Sequence, residues 1–125
     1  MSKGRSHCAT RMEETTVRIC SVYDLASTTS KQPVVLDLRA AQAFNEVHVP
    51  GAVHMQPAEV EFRLSDIPRS STVFVLGDEP ALADMVTLLL ERNDFEAVLV
   101  RGGTAAWRAA GLPTTQVGNR TVVAA

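Results

Sequence analysis

Three short runs of branched apolar residues set the narrowest limit on what this chain can fold into: Val34-Val35-Leu36-Asp37-Leu38, Thr72-Val73-Phe74-Val75-Leu76 and Ala97-Val98-Leu99-Val100. Each is nearly continuous rather than alternating, which predicts strands covered on both faces, as in a parallel sheet. Between the second and third, Leu82, Met85, Val86, Leu89 and Leu90 recur at offsets of three and four. They share one face of a helix beginning near Asp78-Glu79-Pro80. Strand, helix and strand in that order make a right-handed βαβ unit. Upstream, Val17 to Cys20 is β-prone, and Ser21 followed three residues later by Asp24 is a helix-start signature. Pro57 to Leu64 and Thr104 to Ala110 read as further short helices, the second closed by Gly111 with Pro113 just beyond. The alternation predicts an α/β fold, a parallel sheet with helices on both faces.

At 125 residues and 46% hydrophobic content the chain has enough apolar material for one core and one domain. Residues 1–16 are polar and aperiodic and read as a flexible leader, 17–116 as the domain, and 117–125 as a tail. Within that tail Thr121 to Ala125 is β-prone, so it either pairs with an edge strand or frays. Twelve Lys+Arg against fourteen Asp+Glu give no electrostatic reason to expect nucleic acid or an anionic membrane as partner. No apolar run approaches the ~20 residues of a membrane span, and the first residues hold no signal-peptide core, so a cytoplasmic location is expected. Cys8 and Cys20 are too few and too far apart for a disulfide framework or a zinc site, and His7 beside Cys8 adds too little. No metal and no cofactor are expected.

Three segments, in order, carry a resemblance. Asp37-Leu38-Arg39, then Phe44, then His48-Val49-Pro50-Gly51-Ala52 are followed much later by Gly102-Gly103-Thr104-Ala105-Ala106-Trp107. Together they resemble the rhodanese-like (sulfurtransferase) domain family, with its Asp-x-Arg, its phenylalanine, its Gly-His-Ile-Pro-Gly-Ala turn and its Gly-Gly-x-x-x-Trp. Val47 stands where the family usually has glycine. The resemblance runs from Val17 to Pro113 and implies a five-stranded parallel sheet flanked by helices, with the active-site loop joining the fourth strand to the next helix. Pro50 and Gly51 suit a turn, and Trp107 suits the core. Asp37 and Arg39 end a strand on the side where open α/β sheets bind ligands. With His48 and Arg101 they are candidate rim residues, although holding loops by hydrogen bonds is the simpler role for Asp37, Arg39 and His48.

In that family the fourth strand ends in a cysteine, and the loop's backbone N–H groups converge on its sulfur to stabilise a thiolate and then a persulfide. Here the strand runs into Gly77-Asp78-Glu79-Pro80-Ala81-Leu82-Ala83, and the cysteine position falls on Gly77. A register one residue earlier would put Leu76 there, no better as a nucleophile. The loop's polar side chains are Asp78, read as the cap of the following helix, and Glu79. Two carboxylates would raise the pKa of any thiol placed there and repel an anionic donor. The loop also lacks the cysteine and arginine that phosphate chemistry needs.

The leading expectation is therefore a non-catalytic rhodanese-like module that binds a protein partner or a small ligand of unknown identity. The alternative is a sulfurtransferase using a thiol outside the loop. Cys8 is the candidate, since the ~9 residues before Val17 span up to ~30 Å when extended. A scaffold role within an assembly is a third reading.

Overall fold

The computed structural model describes residues 10–11, 17–29, 33–116 and 121–123. Strands β1 (Thr10–Arg11), β2 (Arg18–Cys20), β3 (Val34–Asp37), β4 (Val53–His54), β5 (Thr72–Leu76) and β6 (Glu96–Val100) form one sheet in the order β1-β2-β6-β5-β3-β4. The pairs β2·β6, β6·β5, β5·β3 and β3·β4 are parallel, which gives the expected five-stranded parallel sheet. The sixth strand carries no signal in the sequence. β1 lies inside the segment read as a leader and pairs antiparallel with β2, Thr10 opposite Ile19. Without it β2 would be an edge strand with unpaired backbone groups, an open template for a short addition. The remainder of 1–16, Cys8 included, lies outside the described residues.

Helix α1 (Val22–Ala26) starts as its sequence dictates. The Ser21 hydroxyl accepts from the Asp24 N–H at 3.2 Å, while the Asp24 carboxylate accepts from the Ser21 N–H at 3.0 Å. α4 (Pro80–Arg92) joins β5 to β6 and completes the βαβ unit, and α5 (Gly103–Ala109) follows β6. Two elements left no sequence signal: α2 (Ala41–Glu46), which buries no residue, and the two-residue β4. The helix expected over Pro57 to Leu64 is instead α3 (Pro57–Val60) followed by a 3-10 segment, Glu61–Asp66, with Arg63 at non-helical φ −120°.

Because strand side chains alternate, the central strands feed two cores. On one face Val73 and Val75 of β5, with Leu36 and Ala97, meet Val60 of α3 and Ala83, Val86 and Leu90 of α4. On the other, Phe74 and Leu76, with Val35, Val98 and Val100, meet Val22 and Leu25 of α1 and Trp107 of α5. All five residues of β5 are buried, which explains its uninterrupted apolar run. Trp107 is a core residue whose indole N–H donates to the Pro113 carbonyl at 2.6 Å. β7 (Pro113–Thr115) and β8 (Thr121–Val123) form a separate antiparallel pair, so the β-prone tail joins β7 and not an edge of the main sheet. Among the described residues no helix is long and apolar enough to cross a membrane.

Candidate functional site

The place where chemistry is expected is the connection from β5 to α4, and its shape follows from one proline. Proline fixes its own φ at a helical value and pushes the preceding residue away from the helical region. Accordingly Pro80 opens α4, and Glu79, at φ −120° and ψ 108°, is the N-cap. Asp78 sits one position too early to cap the helix, and no side chain caps it, which corrects the role expected for Asp78. The first intrahelical bond runs from the Ala83 N–H to the Glu79 carbonyl at 3.0 Å. Of the segment read as a loop, Pro80, Ala81, Leu82 and Ala83 are helix, and only Gly77, Asp78 and Glu79 remain to curve.

That short turn is packed from both sides. A Cβ on Gly103 would stand 2.6 Å from the Gly77 carbonyl oxygen and 3.2 Å from its nitrogen, so the two glycine backbones are in direct contact. On the other side, a Cβ on Gly77 would meet Ala83 Cβ at 3.3 Å and Leu38 Cδ1 at 3.6 Å. The space enclosed by Leu38, Pro57, Gly77, Asp78, Glu79, Leu82 and Ala83 is about 10 Å³. That is about the volume a single water needs, roughly 10–15 Å³. The nearby hydroxyl of Thr87 is buried and donates to the Ala83 carbonyl at 2.8 Å. Asp78 and Glu79 are exposed. Cys20 is buried at the end of β2, within the core under α1 and α5.

The candidate rim residues divide into two groups. Asp37 is wholly buried, and its carboxylate accepts from Arg39 Nε at 3.0 Å and Nη2 at 2.8 Å. Arg39 Nη2 also donates to the Val47 carbonyl at 2.6 Å, tying the end of α2 to the end of β3. His48 is buried and stacked on Phe44 with ring centroids 3.8 Å apart. Its Nδ1 lies 2.7 Å from the Phe44 carbonyl, so that nitrogen carries the hydrogen and donates. The backbone of His48 exchanges two hydrogen bonds with Thr115 of β7. His54, not singled out from sequence because an isolated histidine carries no spacing signal, completes the cluster through Nε2, 2.7 Å from the Arg39 carbonyl. Asp37, Arg39 and His48 line neither the space at Gly77 nor the groove beside it.

Arg101 is the exception. It follows β6 directly, is held by its backbone N–H donating to the Cys20 carbonyl at 2.8 Å, and is exposed. With Gly77, Asp78 and Gly102 it lines a groove of about 340 Å³ whose apolar members include Ile19, Leu99 and Ala105. The fold thus places two opposite charges, Asp78 and Arg101, on one largely apolar depression. The apolar members carried no sequence signal of their own, since each also fits a strand or helix pattern.

The profile of the Rhodanese-like domain family matches residues 21–110. Among solved structures, the Rhodanese_3 like domain of the Alr3790 protein from Anabaena sp. is 31% identical with a TM-score of 0.61, over 67% of this chain and 92% of that one. A protein from Lactobacillus plantarum is 26% identical with a TM-score of 0.63, over 74% of this chain and 79% of that one. The candidate sulfur carrier protein YrkF of Bacillus subtilis (strain 168) is 23% identical over 65 residues, 52% of this chain and 35% of YrkF. The chain therefore spans about a third of that relative's length.

Proposed function

Because the chain belongs to the rhodanese-like domain family, we propose that it keeps the family's fold without sulfur transfer at the turn after β5, and works as a module that binds a protein or a small ligand. The observation that carries this reading is the packing of Gly77. Its backbone lies against Gly103, and a Cβ on it would meet Ala83 Cβ at 3.3 Å and Leu38 Cδ1 at 3.6 Å. Sulfur transfer needs an atom that attacks a donor, holds the sulfur and releases it to an acceptor. The turn supplies a hydrogen where that atom would be, and the acidic side chains of Asp78 and Glu79 disfavour an anionic donor. A fold does not by itself dictate an activity, and one that has lost its reacting atom still offers a surface. At this end of the sheet that surface is the groove bearing Asp78 and Arg101.

One finding favours a second reading. The name of YrkF marks it as a candidate sulfur carrier, which keeps sulfur handling through Cys8 in play. Intact-mass measurement after incubation with thiosulfate separates the two, using the unaltered chain, Cys8→Ser and Cys20→Ser. The binding-module reading expects no gain of a sulfur atom in any of them. A sulfur adduct on the unaltered chain that vanishes in Cys8→Ser would replace it with the second reading.

A further inference from the structure

On the face of the sheet covered by α3 and α4, those two helices leave a groove of about 500 Å³ between them. Pro57, Leu82, Met85 and Leu89 line it, with Glu61 and Arg92 as charged members. Met85 is 63% exposed, and Leu82 is exposed as well. The residue after Glu61 is Phe62, on the 3-10 segment, and it is 82% exposed. Phe62 thus follows a lining residue directly in sequence, and with Met85 and Leu82 it adds to the large apolar side chains left exposed on this part of the surface.

We propose that this face is a two-fold interface between two copies of the chain, the Phe62 of each seated in the groove of the other. A two-fold interface requires one patch to carry both complementary halves, so that residue i meets residue j and j meets i. This patch does so twice. Phe62 is the knob and the α3–α4 groove the hole. Glu61 and Arg92, of opposite sign and both lining the groove, make no side-chain hydrogen bond or ion pair among the described residues, whereas Arg63 nearby is engaged by Glu59 and Asp66. In the pair, Glu61 of one copy faces Arg92 of the other, twice by symmetry. The inference is tested separately from sulfur handling at Gly77: the groove shares only Pro57 and Leu82 with the space at that turn, and the dimer variants change neither.

Sedimentation velocity over a wide concentration range tests it. The expected result is a reversible monomer–dimer equilibrium. Phe62→Ala and Met85→Asp should each weaken it by on the order of 30-fold, the effect of losing an interface anchor. Glu61→Arg and Arg92→Glu should each weaken association, and the combined E61R/R92E chain should recover it. Tyr23→Ala is the control: an exposed residue of α1, whose buried side chains pack on the other core, it should leave the equilibrium unchanged. All of these positions are exposed at the surface, so folding is not at stake. A chain that stays monomeric at every concentration overturns the proposal. So does a dimer indifferent to Phe62→Ala and Met85→Asp, or one weakened equally by Tyr23→Ala.

Discussion

At Gly103 two separate demands exclude a side chain. The backbone is left-handed, at φ +58°, and a Cβ would press to 2.6 Å from the Gly77 carbonyl oxygen. Gly51, at φ +84° with nothing within 4 Å of where a Cβ would stand, faces only the first demand. Gly51→Ala should therefore cost about 1 kcal/mol, the ordinary left-handed penalty. Gly103→Ala should cost clearly more, about 3 kcal/mol, since backbone must move as well. Urea denaturation of the two variants checks the order, and equal costs would mean that the Gly77 contact is slack. The glycine pair before Trp107 was legible in the sequence as a motif, but its contact with Gly77 was not, because a turn signal says nothing about which distant backbone it touches. Gly77→Cys adds a side chain whose Cβ lies 3.3 Å from Ala83 Cβ, beside Asp78 and Glu79. That variant should fold but form thiocyanate from thiosulfate and cyanide far more slowly than an ordinary rhodanese. Turnover at ordinary rates would show that neither crowding nor charge closes the turn.

Among the elements, those that bury a continuous apolar run or a full stripe were readable in advance: β3, β5, β6, α4 and the boxed start of α1. α2 was not, because a helix that buries nothing has no stripe, and β4 was not, because two residues carry no period. The start of α4 shows how a correct signal can be assigned to the wrong residue. Asp78 is a good capping type, yet Pro80 fixes the first helical position and makes Glu79 the cap, where its longer side chain makes no capping bond. Glu79→Ser should consequently stabilise the domain by about 0.5–1 kcal/mol, visible as a higher urea midpoint with unchanged slope. No gain would indicate that the first-turn N–H groups are already satisfied by solvent at no cost.

For the whole molecule, the order of strands and the two cores follow from the alternation of apolar runs and helical stripes, and the family match agrees with the ordered motifs at Asp37, His48 and Gly102. Whether the turn after β5 is open was not readable. It depends on Leu38, Ala83 and Gly103, brought together from three elements by packing alone. The same packing separates Asp37, Arg39 and His48, which brace the α2 end of the sheet, from Arg101, which faces the turn across a groove. The proposed binding role would rest on those surfaces, and it stands on the proposed absence of sulfur transfer at the turn. Steady-state thiocyanate formation by the unaltered domain, supplied with thiosulfate and cyanide, tests it most directly. The account predicts a rate no faster than the protein-free reaction, and thiocyanate accumulating to many times the protein concentration above that background would contradict it.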